Sequence, residues 1–101
     1  RGGLGLRRAY RVMGANVTLT TMIERRVVPP YGFFGGKEAA PFRITLNPGT
    51  PRERDVRGKE TMKLAQGDLV LLETCGGGGF GDPAERPAAA READRREGYV
   101  P

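Results

Sequence analysis

Residues 75–83 read Cys75-Gly76-Gly77-Gly78-Gly79-Phe80-Gly81-Asp82-Pro83, and the unbroken glycine run constrains the fold more than any other feature. Ordering a glycine costs about 0.5–1 kcal/mol more backbone entropy than ordering alanine. A folded chain that keeps such a run must therefore make use of the missing side chains. Two uses fit: successive N–H groups can cradle an anion, or bare backbone can pack densely against another segment or chain. Packing is the plainer reading. The bias extends to the whole chain, with 16 Gly and 8 Pro in 101 residues, which calls for many turns and short strands and excludes a helical bundle. Leu, Ile, Val and Phe together number 21, so one small domain with a marginal core is the most that can form.

The strand pattern is legible between the punctuation. Leu6, Arg8, Tyr10 and Val12 alternate with Arg7, Ala9 and Arg11. After the turn-forming Met13-Gly14-Ala15-Asn16, the residues Val17, Leu19, Thr21 and Ile23 alternate with Thr18, Thr20 and Met22. This pair is expected to form a β-hairpin. Pro29-Pro30-Tyr31-Gly32-Phe33-Phe34-Gly35-Gly36 is a shaped loop carrying exposed aromatics. Phe42, Ile44 and Leu46 make a short strand ended by Asn47-Pro48-Gly49, and residues 50–60 read as a polar surface connection. Thr61 to Ala65 and Asp68 to Thr74, joined by Gln66-Gly67, are expected to form a second hairpin. Its second strand, with Leu69, Val70, Leu71 and Leu72, is expected at the centre of the core, buried on both faces. Past Pro87 an alanine-rich helix runs to Glu97 and stops at Gly98. The fold class is therefore mainly β, a small antiparallel β-rich domain with a Gly-rich loop and a short C-terminal helix. Residues 1–83 form the β-rich part and 84–101 the helix and tail.

Absent residues exclude several chemistries. Without histidine there is no Ser-His-Asp triad, imidazole shuttle or His-ligated metal in this chain, and a single cysteine makes no internal disulfide. Cysteine usage suits a reducing, cytoplasmic setting. No membrane partner is expected, since no apolar run approaches a span. The chain opens on Arg1 rather than Met, so it is expected to be a piece of something larger. Of the net charge of +5, residues 1–30 carry six arginines against Glu24 alone. That segment lacks the interleaved aromatics of single-strand binders, and no nucleic-acid partner is expected.

Gly76, Gly78 and Gly81 satisfy G-x-G-x-x-G in form, but Asp82-Pro83 and Pro87 break the helix that a dinucleotide site requires. A phosphate loop fails as well, because no Lys-Ser or Lys-Thr follows. Anion binding by the amides of Gly76, Gly77, Gly78 and Gly79, with Arg7, Arg11 and Arg25 as charge partners, stands as the candidate site. Glu24-Arg25-Arg26 could clamp a carboxylate or phosphate but reads more simply as a solvated strand end, Cys75 as a buried inert thiol rather than an activated one, and Asp82 as a turn residue. No catalytic or metal-ligating residue is singled out.

The order of motifs is specific. Gly2-Gly3-x-Gly5-x-Arg7-x-x-Tyr10-Arg11 is followed by Glu24-Arg25-Arg26, Pro30-x-Gly32-x-x-Gly35-Gly36 and Asn47. Gly67-Asp68, then Thr74-x-Gly76-Gly77-Gly78-Gly79-Phe80-Gly81-Asp82-Pro83 and Gly98-Tyr99-Val100 complete it. The chain resembles the C-terminal end of the hydantoinase B/oxoprolinase family, with Cys75 standing where the family usually has proline.

The resemblance implies ATP-dependent chemistry on cyclic amides, as in N-methylhydantoinase and 5-oxoprolinase, or carboxylation of ketones in related enzymes. It implies that this chain is the C-terminal part of a B-type component and is inactive alone. The implied partners are the rest of the B subunit and an A-type subunit or domain that binds ATP, with a homo-oligomer also open. No cofactor is implied in this segment, and any metal of the parent would lie upstream. The glycine run would face a phosphorylated or oxyanionic intermediate. The alternative role is a subunit-contact module without substrate contact.

Overall fold

The structure is a computed structural model that describes residues 1–101. Strands β1 (Arg7–Arg11), β2 (Val17–Met22), β3 (Arg43–Leu46), β4 (Arg54–Asp55), β5 (Lys59–Leu64) and β6 (Leu69–Glu73) are followed by a 3-10 turn (Pro83–Glu85) and helix α1 (Ala88–Arg96). All strand pairings are antiparallel. One sheet has the order β1-β6-β3-β4 and the other is the pair β2-β5. With a radius of gyration of 17.1 Å and extents of 52 × 27 × 20 Å, the molecule is drawn out well beyond the ~13 Å of a compact 100-residue domain.

The reason is a single long ribbon. β1 and β2 run in succession against β6 and β5, from Arg7 opposite Glu73 to Arg11 opposite Leu69, then from Val17 opposite Leu64 to Met22 opposite Lys59. Neither expected hairpin forms: β1 does not pair with β2, nor β5 with β6. The turn residues are present, with Asn16 at φ 58° and Gly67 at φ 90°. They carry each chain from one sheet into the other side by side, so two corners coincide and the partner strands are retained across them. Residues 12–16 lie opposite 65–68, tied by Val12 N–H to Asp68 O (2.8 Å) and Gly67 N–H to Val12 O (2.7 Å).

β6 is central, as its leucine-rich sequence requires, but of its residues only Val70 is buried. The core is Val12, Ile44, Val56, Leu64 and Val70, with Leu19, Ile23, Phe42 and Leu72 among those packed around it. Val56, fully buried, comes from the stretch that reads as a polar connection, which also contributes β4 beside β3. In β2 the alternation holds: Val17, Leu19 and Thr21 turn inward while Thr18, Thr20 and Met22 are exposed. In β1 all five residues are exposed. Helix α1 ends as expected, with Gly98 at φ 75° just past its C-cap.

Candidate functional site

The glycine run leaves β6 and enters a layer of bare backbone. On one side lies the N-terminal segment, where Gly77 N–H donates to Gly3 O (2.9 Å). On the other lies the aromatic loop, where Gly79 N–H donates to Lys37 O (2.8 Å) and Phe33 N–H donates to Gly79 O (2.9 Å). Contacts alternate along the run. A Cβ on Gly76 would stand 2.4 Å from Gly3 O, and one on Gly78 only 1.8 Å from Tyr31 O. A Cβ on Gly79 would meet nothing nearer than 3.4 Å. None of these glycines has a positive φ. Gly76 and Gly78 are needed for close approach and not for backbone conformation.

Gly77 and Gly79 face a cleft of about 470 Å³ whose rim carries Arg1, Lys37, Glu38, Asp82, Glu85 and Arg86. Asp82 Oδ1 accepts from Ala84 N–H (2.8 Å) and caps the 3-10 turn, so it is a turn residue as its place before Pro83 suggests. Arg1 and Arg86 are held from beneath by Asp94. Arg1 Nε donates to Oδ1 (2.9 Å) and Arg86 Nε to Oδ2 (3.0 Å). The hydrogen bond from Arg1 and the pairing with Arg86 hold the Asp94 carboxyl below the usual carboxylate range, against the opposing effect of burial. The Arg1 guanidinium also lies 4.2 Å from the centroid of the Tyr99 ring. Lys37 has no carboxylate partner.

The three arginines singled out by sequence stand elsewhere. Arg7 Nη2 donates to Glu73 Oε2 (2.9 Å) across the β1–β6 pair. Arg11, at the far end of β1, donates to Gly67 O (3.0 Å). Arg25 has φ 61° beyond β2 and lines a separate surface hollow with Arg57. The structure thus brings Gly77 and Gly79 together with Arg1, Lys37 and Arg86, and leaves Arg7, Arg11 and Arg25 outside the cleft. Of the run's amides, those of Gly77 and Gly79 are committed to Gly3 and Lys37, while those of Gly76 and Gly78 make no hydrogen bond within the chain. Arg26, neighbour of Arg25, is paired with Asp55. Cys75 is half-buried and free.

The sequence did hold a signal for Asp94. The inward face of α1 is Ala90, Ala93 and Asp94, a carboxylate on a small-residue stripe that only a cation from elsewhere can satisfy. No three carboxylate or thiol groups converge in the structure. No helix is long and apolar enough to cross a membrane.

A β-ribbon module closed by a layer of side-chain-free backbone, with a charged cleft against that layer, is the class of protein these features define. The chain belongs to the hydantoinase B/oxoprolinase family, whose family model matches residues 1–83. It is 36% identical to caprolactamase subunit beta of Pseudomonas jessenii over 99% of this chain and 18% of that protein. It is also 36% identical to 5-oxoprolinase of Saccharomyces cerevisiae, over 79% of this chain and 6% of that protein. An uncharacterized protein of Methanocaldococcus jannaschii matches at 36% identity, covering 85% of this chain and 15% of its own length. The chain therefore spans less than a fifth of the length of these relatives. No solved structure matches.

Proposed function

We propose that this chain is the C-terminal part of the B-type component of an ATP-dependent hydrolase that opens cyclic amides. One observation carries the reading: the match to caprolactamase subunit beta runs through 99% of the chain, helix α1 included. In such an enzyme an A-type subunit or domain would bind ATP, which supplies the driving force for activating the ring amide. Ring opening by water converts the C–N bond into a carboxylate and an amine, and negative charge develops on the carbonyl oxygen on the way. Donors fixed in advance near that oxygen favour the reaction. What this chain has to offer in the cleft is the unpaired ammonium of Lys37 beside Gly77 and Gly79, while the uncommitted amides of Gly76 and Gly78 belong to glycines outside its lining.

A second reading is favoured by the tight backbone layer, in which Gly78 abuts Tyr31 O and Gly77 and Gly79 spend their amides on the protein itself. On it, the module is a framework and subunit-contact piece without substrate contact. ATP turnover by the full-length protein with its A-type partner tests the first reading, with caprolactam, 5-oxoproline and N-methylhydantoin as substrates. Stimulation by one of them supports hydrolysis of cyclic amides. Stimulation only by acetophenone with bicarbonate moves the protein to the related ketone carboxylases. In the same assay Gly79→Ala separates site from framework: lost turnover with an unchanged thermal midpoint marks the cleft as substrate-facing, whereas unchanged turnover favours the framework.

A further inference from the structure

β1 is the outermost strand of its sheet and nothing covers it. The hydrogen bonds at its two ends fix which backbone groups are spare. Leu6 O accepts from Thr74 N–H (2.9 Å), Val12 N–H donates to Asp68 O (2.8 Å) and Val12 O accepts from Gly67 N–H (2.7 Å). Residues 6 and 12 thus turn their polar groups toward β6. Because this direction alternates along an antiparallel strand, the N–H and C=O of Arg7, Ala9 and Arg11 point away into the open. Such an edge is a template for another strand. No proline or bulge blunts this one, and the neighbouring Leu4, Leu6 and Tyr10 are 56%, 70% and 50% exposed.

Charge selects the occupant. β1 carries Arg7, Arg8 and Arg11 and no acid. Glu73 answers Arg7, but Arg8 meets only the Tyr10 hydroxyl (3.2 Å) and Arg11 only the Gly67 carbonyl (3.0 Å). A second copy adding antiparallel about Ala9 would set Arg7 against Arg11, and a parallel copy would stack each arginine on itself. Like charges directly opposite are unfavourable, so the edge rejects its own kind and suits an acidic strand. The relatives carry more than four-fifths of their length outside the matched segment, ample chain to supply it.

We propose that the open edge of β1 receives an extended, acidic strand from the remainder of the longer polypeptide, which adds to the sheet through the outward groups of Arg7, Ala9 and Arg11. This does not depend on the reaction catalysed. Residue-resolved hydrogen exchange in the full-length natural polypeptide tests it. The amides of Arg7, Ala9 and Arg11 are expected to exchange on the order of 100-fold more slowly than the rate of a freely solvated amide of the same sequence. Ala9→Pro removes an outward donor while sparing the β1–β6 ladder, and is expected to abolish protection at Arg7 and Arg11 and leave β6 protected. In an Arg8→Lys variant, carbodiimide coupling is expected to join position 8 to a carboxylate upstream in the same polypeptide, located by mass spectrometry. Fast exchange of the three amides in the full-length protein overturns the proposal. So does protection that follows protein concentration, which marks a second copy, or a cross-link that leads to another subunit or fails to form.

Discussion

Asn47 Nδ2 donates a 3.0 Å hydrogen bond to Asp68 Oδ1 in the interior of the corner where the long ribbon passes between sheets. Asn47 also exchanges two bonds with Leu69, its N–H donating to Leu69 O (2.7 Å) and its Oδ1 accepting from Leu69 N–H (2.9 Å). The other Asp68 oxygen accepts from Ala65 N–H (2.8 Å), and Arg52 Nη2 approaches Oδ1 at 3.0 Å. One asparagine and one aspartate thereby satisfy the backbone groups that the interrupted ladder leaves open, as buried polar groups must be satisfied.

The first prediction concerns acid. The Asn47 hydrogen bond above all, then the Ala65 amide and Arg52, hold the Asp68 carboxyl below the usual range against the opposing effect of burial. Asp94 is held down in the same direction. A folded pKa below the unfolded value of about 3.9 means that the stabilisation is complete above that value. It is lost as pH falls through the folded pKa. The thermal midpoint is therefore expected to be level from pH 8 to about 5 and to fall below about pH 4. Asn47→Gly keeps a residue tolerant of the φ of 49° and removes the donor. It should lower the midpoint at pH 7 and make the acid loss shallower, because less of the depression of the Asp68 carboxyl remains to be lost as pH falls. A profile parallel to that of the parent would show that Asn47 does not hold the carboxylate.

A second prediction contrasts neighbouring glycines. Gly78→Ala drives a methyl to 1.8 Å from Tyr31 O, a backbone atom with nowhere to go, whereas Gly79→Ala meets Lys37 N at 3.4 Å. Chemical denaturation should show a loss of about 3 kcal/mol for the first, in the overpacking range, and within about 1 kcal/mol for the second. Equal losses would contradict the alternating contacts of the run.

Helix α1 gives the third. Its one buried residue is Asp94, held by Arg1 and Arg86, and the alanines beside it bury little apolar area. Asp94→Ala leaves two arginines facing each other without the carboxylate between them, so the helix should detach while the sheets persist. Faster hydrogen exchange and proteolysis confined to residues 84–101 are expected. Exchange that rises equally in β6 would show that the helix and ribbon unfold together.

Much of this was legible beforehand, and what was not has a common physical cause. Periodicity located β2, β3, β5 and β6, and Gly98 marked the end of α1 because only local geometry is involved. Pairing is not legible at Asn16 and Gly67, since a residue with positive φ shows that the chain turns and not which strand it next meets. Val56 was hidden because a lone apolar residue between Asp55 and Arg57 has no period. For the site, the glycine run announced itself, while Arg1, Lys37 and Arg86 did not: their approach to it depends on long-range packing of three segments. Arg7 and Arg11 are close in sequence to motif glycines yet lie along a strand that leads away from the cleft.

The aromatic loop supplies the last prediction. Phe33, Phe34 and Phe80 stand 54%, 79% and 76% exposed, with Phe34 and Phe80 ring centroids 5.2 Å apart and Tyr31 against Phe33 at the same distance. The Phe33–Phe80 bridge fixes their backbones beside one another, so the rings form one patch that cannot fold inward without breaking the glycine layer. Water is a poor neighbour for such a surface, and contiguous apolar patches on soluble chains mark contacts. The 101-residue chain is therefore expected to self-associate with rising concentration in sedimentation velocity, weakly dependent on salt. Phe34→Ser with Phe80→Ser should move association to concentrations at least about tenfold higher, since each ring buries well over 1.4 kcal/mol of apolar surface in a contact. The bridge is made by backbone, so the double variant should keep its sheets and its thermal midpoint. Association that persists unchanged in that variant would place the contact elsewhere on the molecule.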